Sequence, residues 1–252
     1  GNFINVTYYC TEQIYRNYLK TMDSQHINPG TIIIDMGWAE YPALHIPSKN
    51  RWHDLRAFID EQHQRGRKVL LWYTPVVTSG LPIEACMTLY GKPVCPDPTS
   101  PAYQAIIADE VYHMISDADG CLNADGFKID FTQNTPSENG RFISYINDFW
   151  GLINEENDKY LYPPLAERTE LIQTHGNKWG VEILRAYIEL IYQNMKKHKA
   201  DSVLITHTAN PYFADVVDIL RLNDLDGNCQ DVLGVMRNRA KIASMCNPNW
   251  LI

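Results

Sequence analysis

Short β-branched runs alternate with helical segments along this chain, and the alternation limits the folds that it can adopt. Each run is followed by a polar loop and then by residues with helical periodicity. The run at 31–35, Thr-Ile-Ile-Ile-Asp, is continuous, as in a strand that is buried on both faces. Strands that alternate with helices form a parallel sheet with right-handed crossovers. The sequence therefore predicts an α/β fold, either an open doubly wound sheet or a closed barrel.

The pattern gives six strands and the start of a seventh. We predict strands at 3–9, 31–35, 68–73, 126–131, 202–207 and 217–222, with another beginning at 250–252. Helices are predicted at 11–23, 54–64, 102–115, 181–196 and 232–245. We expect Thr11 to cap the first helix and Gly66 to stop the second. The connection at about 132–180 is longer than a crossover helix requires, so an elaborated loop with a short helix is expected there.

Polar and aromatic residues cluster at the carboxyl ends of five predicted strands. They are Asp35 with Trp38, Trp72, Asp130, His207 and Asp224. A barrel would gather these residues around one axis, whereas an open sheet would spread them along a crevice. No glycine-rich phosphate-binding motif follows any predicted strand. We therefore favour a (β/α)8 TIM-type barrel.

Charge and hydropathy exclude several classes of partner. The chain carries 30 Asp and Glu against 22 Lys and Arg, a formal net charge of −8. Nucleic acids and anionic membranes require clustered cations, so neither is an expected partner. No apolar run approaches the ~18–20 residues that span a bilayer. The first residues lack the features of a signal peptide, and the sequence leaves the compartment unknown.

The six cysteines show neither a Cys-x-x-Cys motif nor zinc-ligand spacing, and we predict no metal and no cofactor. Cys86 and Cys95 flank a short loop that contains Gly and Pro. They form either a disulfide or two buried or free thiols, and the thiols are favoured.

The strand at 126–131 carries the first candidate catalytic group. Lys128 and Asp130 share one face of this strand with Gly126, because side chains alternate between faces. A neighbouring Lys favours the ionised form of Asp130, which a nucleophile or an electrostatic stabiliser requires. A purely structural Lys–Asp pair would give the same pattern.

A second carboxylate follows the strand at 217–222. Asp224 has Asp226 and Asp231 nearby in sequence, and like charges favour the proton-bearing form that a general acid needs. Alternatively, Asn223 or Asp224 caps the next helix. One ionised carboxylate and one proton donor, on separate strands of a barrel mouth, form an arrangement suited to glycoside hydrolysis.

Three sequence blocks resemble the catalytic barrels of retaining α-glycosidases, in glycoside hydrolase families 36 and 27 (α-galactosidase-like) and the related family 31. The block at 34–38, Ile-Asp-Met-Gly-Trp, is similar to an Asp-Asp-Gly-Trp strand end. The block at 54–75 is similar to the following helix and its Leu-Trp strand. The block at 126–130 is similar to the strand that bears the nucleophile. The resemblance extends over about residues 5–239, in matching order.

The resemblance implies a retaining exo-acting α-glycosidase that acts on an oligosaccharide or glycoside. Asp130 matches the nucleophile that forms a covalent glycosyl-enzyme, and Asp224 matches the acid/base. Lys128 matches a residue that binds sugar hydroxyls near the nucleophile, and Asp35 matches one that binds hydroxyls at the far side of the ring.

Four further residues complete the predicted substrate site. Trp38 and Trp72 match aromatic surfaces that suit the apolar face of a pyranose. Arg221 is expected to orient a sugar hydroxyl or to steady a carboxylate. His207 either contacts sugar or packs in the core.

Two departures from the resemblance leave the sugar open. Met36 replaces the second Asp of the Asp-Asp-Gly-Trp block, which removes a charged acceptor for galactose. The expected Cys-x-x-Gly-Gly-x-Arg block is absent, and Thr-His-Thr-Ala-Asn-Pro stands at 206–211. Galactose, glucose and xylose therefore all remain candidate sugars.

The long connection also affects how much of a barrel the chain can hold. We expect 1–252 to be one catalytic barrel domain that lacks one or two βα units, with flanking β-rich domains in the natural protein. An open sheet edge exposes unpaired backbone groups, so a homo-oligomer or flanking domains would cover it.

Two other functions fit the same residues. A non-catalytic carbohydrate-binding barrel would keep the aromatic cleft without turnover. A metal-dependent barrel hydrolase would use Asp35, Asp130, His207 and Asp224 as ligands.

Overall fold

The structure is a computed structural model of the chain. It describes residues 10–40, 45–75, 77–78, 80–89, 91–132, 174–176, 178, 180–225 and 227–250. The predicted strand at 3–9, most of the connection at 132–180, and Asp226 lie outside the described residues. Of the predicted strand start at 250–252, only Trp250 is described, and it lies in a bend.

The described strands form one parallel sheet and one hairpin. They are β1 Thr31–Ile34, β2 Lys68–Tyr73, β3 Cys86–Leu89, β4 Lys92–Pro96, β5 Gly126–Ile129, β6 Val203–Thr206 and β7 Ile219–Leu220. The parallel sheet has five strands in the order β1-β2-β5-β6-β7. All of β5, and all of β2 except Lys68, is buried, which explains their apolar sequences.

The strand order decides between the two predicted architectures. Each strand of the parallel sheet pairs with the next parallel strand along the chain, as in the wall of a TIM-type barrel. A doubly wound sheet would instead reverse its order at a switch point. Within the described residues the sheet runs from β1 to β7 without closing.

Five α-helices are described outside the sheet. They are α1 Glu12–Ser24, α2 Leu55–Gln64, α3 Pro101–Ile115, α4 Val181–His198 and α5 Val232–Cys246. All five predicted helices are confirmed to within a few residues. Among the described residues, no helix combines the length and apolar character that crossing a bilayer requires.

Three local residues set helix ends. Thr11 and Gly66 act as predicted, whereas Asp54, predicted as the first residue of its helix, is the N-cap instead. Thr11 Oγ1 accepts a hydrogen bond from the Ile14 N–H at 3.4 Å, and Asp54 Oδ1 accepts one from the Ala57 N–H at 2.9 Å. Gly66, just beyond α2, has a φ of 73°, which a residue with a Cβ rarely adopts.

The antiparallel hairpin β3–β4 is absent from the sequence prediction. It lies between β2 and α3 and contains both Cys86 and Cys95. Both residues are buried free cysteines, so the favoured alternative of two thiols is confirmed. Cys95 Sγ lies 3.2 Å from the Tyr187 hydroxyl, which ties the hairpin to α4.

Gly126 allows β5 and β6 to approach each other closely. A Cβ at this position would lie 1.8 Å from the Val203 carbonyl oxygen, and the φ of Gly126 is 142°. Both observations require glycine at the start of the strand that leads to Asp130.

A buried charge joins the amino ends of β2 and β5. Asp125 Oδ2 accepts the Val69 N–H at 2.8 Å and lies 2.6 Å from His63 Nε2. Burial alone would raise the pKa of Asp125, but the Val69 N–H, His63 and Lys199 outweigh it and lower that pKa. This end of the sheet lies opposite the strand ends that carry the predicted site, so we assign Asp125 to stability.

Candidate active site

The carboxyl ends of the five parallel strands bring the predicted polar residues to one edge of the sheet. Asp35 follows β1, Asp130 follows β5, His207 follows β6 and Arg221 follows β7. The Asp130 N–H donates to the Tyr73 carbonyl at 2.9 Å, so Asp130 stays beside β2 after the strand ends. The gathering of these side chains is what a barrel mouth predicts.

Four donors surround the carboxylate of Asp130. Oδ1 accepts hydrogen bonds from the Phe131 N–H and from Arg221 Nη2, each at 3.0 Å. Oδ2 accepts one from Trp72 Nε1 at 3.3 Å and lies 3.6 Å from Lys128 Nζ. Phe131 has a φ of 57°, an uncommon conformation for a non-glycine residue. The carboxylate is therefore fixed in one orientation.

The surroundings of Asp130 stabilise its ionised form. Burial alone would raise its pKa, because a charge is poorly solvated inside the protein. Lys128, Arg221 and the Phe131 N–H together outweigh burial and lower the pKa of Asp130. These surroundings therefore favour the ionised form that the sequence predicts for Asp130.

Lys128 joins the ends of β1 and β5. Its ammonium lies 2.6 Å from Asp35 Oδ2 and 3.6 Å from Asp130 Oδ2, and its side chain is 11% exposed. One cation therefore lies close to two carboxylates that are 95 positions apart in sequence. This finding favours an electrostatic role for Lys128 as well as the predicted contact with sugar hydroxyls.

Asp35 is fixed by residues that sequence analysis did not identify. Its N–H donates to the Tyr15 hydroxyl at 2.9 Å, and its carbonyl accepts from Cys10 Sγ at 3.1 Å. Its Oδ1 also accepts the Met36 N–H at 2.7 Å. No local pattern connects α1 to the end of β1, so no sequence signal could have found Tyr15.

Arg221 bridges the two predicted catalytic carboxylates. Nη2 contacts Asp130 Oδ1 at 3.0 Å, and Nη1 contacts Asp224 Oδ1 at 2.8 Å. The two carboxylates differ in burial, because the Asp130 side chain is 17% exposed and that of Asp224 is 87% exposed. Arg221 Nε is buried and has no hydrogen-bond partner within the part of the chain that the structure describes. The prediction that Arg221 steadies a carboxylate thus has a direct structural counterpart.

Asp224 does not cap the following helix. The cap of α5 is Asp231, whose Oδ1 accepts the Gly234 N–H at 2.9 Å. The alternative that Asn223 or Asp224 is a helix cap is therefore wrong.

His207 belongs to the site rather than to the core alone. Its Nδ1 lies 3.7 Å from Asp130 Oδ1 and 3.4 Å from Arg221 Nη2, and its side chain is 7% exposed. Burial lowers the pKa of His207 more than the nearby Asp130 raises it, so the neutral imidazole is favoured. Nε2 lies 3.1 Å from Thr132 Oγ1. Sequence analysis missed Thr132, although the two-residue period of Lys128 and Asp130 points to it.

The two tryptophans differ from the expected pair of aromatic surfaces. Trp38 is fully buried, and its indole N–H donates to the Trp72 carbonyl at 2.8 Å. Trp72 is 3% exposed and directs its own N–H at Asp130. Trp38 therefore holds the Trp72 backbone in place from within the core. Met36 is also buried, at 3% exposure.

Among the described residues, no group of three or more His, Cys, Asp or Glu side chains is arranged to hold a metal ion. The cations of Lys128 and Arg221 instead lie between the carboxylates of Asp35, Asp130 and Asp224.

Comparison with known sequences identifies a matching family. Residues 2–177 match the family described as the glycosyl hydrolases family 31 TIM-barrel domain. This match confirms the predicted TIM-type α/β class. No curated protein matches the chain.

Several solved structures share the fold. The cycloalternan-degrading enzyme from Trueperella pyogenes, in complex with a covalent intermediate, is similar with a TM-score of 0.57 and 16% identity, over 94% of this chain and 34% of that one. A GH31 α-xylosidase from a soil metagenome, complexed with xylose, has a TM-score of 0.51 and 15% identity, over 79% of this chain and 28% of the xylosidase. The Flavobacterium johnsoniae GH31 dextranase, complexed with glucose, has a TM-score of 0.53 and 14% identity, over 79% of this chain and 24% of the dextranase. The chain thus spans 24% to 34% of the length of these proteins.

Proposed function

Because this chain belongs to glycosyl hydrolase family 31, we propose that it is the catalytic barrel of a retaining exo-acting α-glycosidase with Asp130 as its nucleophile. The observation that carries the proposal is the environment of Asp130. This carboxylate lies at the end of a barrel-type strand, mostly buried, with Lys128 and Arg221 lowering its pKa. A carboxylate that stays ionised and fixed in orientation is what nucleophilic attack on a sugar requires.

The reaction would proceed in two displacements. Asp130 attacks the anomeric carbon while Asp224 donates its proton to the leaving glycosidic oxygen, and a covalent glycosyl-enzyme forms. Asp224 then takes a proton from water, the water attacks the anomeric carbon, and the bond to Asp130 breaks. Two inversions give net retention, for which the carboxyl groups lie ~5–5.5 Å apart.

Arg221 would set the starting state of both carboxylates. While it binds Asp130, it partly compensates the charge of the nucleophile and holds one of its oxygens in place. Asp224 must exchange its hydrogen bond with Arg221 for one with the leaving oxygen. Its high exposure leaves room for this rotation.

The substrate proposal is an α-linked glucose- or xylose-configured sugar rather than galactose. The comparisons support family 31 and give no support to families 36 and 27. Met36 is apolar and buried where the Asp-Asp-Gly-Trp block would place a charged acceptor for galactose. Asp35 and Lys128 remain as the polar groups for hydroxyls at this side of the site.

The test is a panel of aryl α-glucosides, α-xylosides and α-galactosides, assayed with the full-length natural protein and with its Asp130→Ala variant. We expect turnover of a glucoside or xyloside that the variant abolishes. An unchanged rate in the variant would remove Asp130 as the nucleophile. Turnover of the galactoside alone would restore the galactosidase alternative.

The same assay separates the two other functions. Saturable sugar binding without turnover of any member of the panel would indicate a carbohydrate-binding barrel. Activity that a chelator abolishes and added metal restores would indicate a metal-dependent hydrolase. The prediction of flanking β-rich domains is tested by the length and mass of the natural protein.

A further inference from the structure

A cavity separate from the candidate active site lies on the helical side of the barrel wall. Its volume is about 660 Å³, and its lining comes from the loop at 45–47, from α3 and from the turn after α3. Apolar side chains, including Ile46, Ile106, Met114 and Leu122, form much of this lining. No residue assigned above to the catalytic site lines it. Volume and lining are those of a small-molecule site.

A His–Glu pair projects into this apolar lining. His45 Nδ1 lies 3.3 Å from Glu110 Oε2, and the side chains are 1% and 10% exposed. The His45 ring stacks on Tyr73 with centroids 3.8 Å apart and an interplanar angle of 13°. His45 has a φ of 48°, an uncommon backbone conformation that places the ring in this stack.

In each residue of the pair, one side-chain polar atom makes no hydrogen bond to the described residues. His45 Nε2 and Glu110 Oε1 are both buried, and neither has a hydrogen-bond partner among the described residues. Leaving buried polar atoms unpaired is costly, and native structures usually satisfy them. Both residues line the cavity, so a bound molecule that turns these side chains slightly towards it would supply the missing partners.

The chemistry of the pair defines that molecule. When a neutral His45 ring donates its Nδ1–H to the Glu110 carboxylate, Nε2 is an acceptor. Glu110 Oε1 is an acceptor as well. The pair therefore offers two acceptor atoms, a ring nitrogen and a carboxylate oxygen, beside a largely apolar lining. Asp109 adds a further carboxylate at the rim.

We propose that this cavity binds a small organic cation, a protonated primary amine on an apolar body. The ammonium group donates to Glu110 Oε1 and to His45 Nε2, and its charge is compensated by the carboxylate. The apolar body contacts the aliphatic lining. The site is independent of the glycosidase proposal.

The test uses benzylammonium chloride, with neutral benzyl alcohol as the matched ligand. Methyl and backbone NMR shifts of the whole chain are followed during titration. We expect saturable shifts at Ile46, Ile106, Met114 and Leu122 with a dissociation constant in the millimolar range or tighter. Benzyl alcohol should bind at least about tenfold more weakly, because it lacks the charge. This comparison needs no variant and so does not depend on variant folding.

Two variants locate the binding energy. Glu110→Gln keeps the shape and removes the charge, and we expect it to weaken benzylammonium binding about tenfold or more. Glu84→Gln is the matched control, because this glutamate is exposed and does not line the cavity, so it should leave binding unchanged. Absence of saturable shifts, meaning a cavity that holds only water, would overturn the proposal. Equal binding of benzyl alcohol or unchanged binding in Glu110→Gln would also overturn it. Shifts confined to the Trp72 indole would overturn it too, because they would place the ligand at the candidate active site.

Discussion

Arg221 Nη2 lies 3.0 Å from Asp130 Oδ1, although β6 separates the strands that carry these two residues. The two side chains therefore meet across the end of β6, over two strand spacings, at the barrel mouth. Its other terminal nitrogen contacts Asp224, so both carboxylates proposed for catalysis depend on one cation. The candidate site is therefore one charge network, with Lys128 completing it on the opposite side of Asp130.

Removing Arg221 should change the pH dependence of catalysis. Without the guanidinium, burial of Asp130 is less compensated, so its pKa rises. The nucleophile acts only when ionised, and activity is lost as the pH falls through that pKa. In Arg221→Gln we therefore expect the acid limb of kcat/KM to move to higher pH and the plateau to fall about 10²-fold. Exposed Arg237→Gln is the control, and an acid limb that stays in place would contradict the network.

Replacing Asp130 by glycine should remove turnover and create a site for an external nucleophile. We expect Asp130→Gly to lower kcat on the order of 10³-fold or more. Added azide should occupy the vacated space and attack the anomeric carbon once, which gives a β-glycosyl azide from an α-glycoside. The exposed Asp119→Asn serves as the control and should keep full activity. An azide product with retained α configuration would assign the nucleophile to another residue.

The role of Asp224 should depend on the leaving group. A fluoride ion departs without a proton, so Asp224→Ala should release fluoride from an α-glycosyl fluoride in a rapid first turnover. The same variant should cleave an alkyl glycoside about 10²- to 10⁴-fold more slowly than the unchanged protein, because an alkoxide needs protonation. Pre-steady-state fluoride and sugar measurements distinguish these steps. Equal losses with both substrates would argue against Asp224 as the acid.

Replacing Gly126 by any other residue should destabilise the fold. A Cβ there would meet the Val203 carbonyl oxygen at 1.8 Å, and its φ of 142° is unfavourable for other residues. We expect Gly126→Ala to lower the free energy of unfolding by about 3 kcal/mol. Gly30→Ala, where nothing lies within 4 Å, should stay within about 0.5 kcal/mol. Urea denaturation of both variants measures the difference, and similar losses would contradict the close strand approach.

Asp125 should contribute stability that disappears in acid. Its pKa is lowered in the folded chain, so its contribution is complete above about pH 5 and declines as the pH falls through ~3.9 towards the lower folded value. At neutral pH, Asp125→Asn should lower the free energy of unfolding by about 3 kcal/mol. Denaturation at several pH values should show the unchanged protein and the variant converging in acid. A constant difference would contradict the assignment.

Much of the fold follows from short stretches of sequence. The strand predicted at 68–73 coincides with β2, because a continuous apolar run fits a strand that is buried on both faces. Thr11 caps its helix as predicted, since capping depends only on residues a few positions away. Lys128 and Asp130 lie together because two-residue alternation is a property of any strand.

Other features depend on contacts that the sequence does not display. The hairpin β3–β4 contains Pro93 and Pro96, which weaken a strand pattern, and its pairing became visible only in three dimensions. Tyr15, which fixes Asp35, lies on a helix 20 positions upstream. Trp38 has the residue type of a sugar-contacting surface, but packing behind Trp72 buries it completely.

The sequence by itself predicted the alternation of strands and helices and the cap at Thr11. It also singled out Asp130, with Lys128 beside it, and Asp224 as candidate catalytic carboxylates. Each of these follows from periodicity or from interactions within a few residues. Only the tertiary structure decided that Asp130 is buried and Asp224 exposed, and that Arg221 connects them. Burial and Coulomb attraction depend on distances between atoms, and those distances are set by strands that lie far apart in the chain.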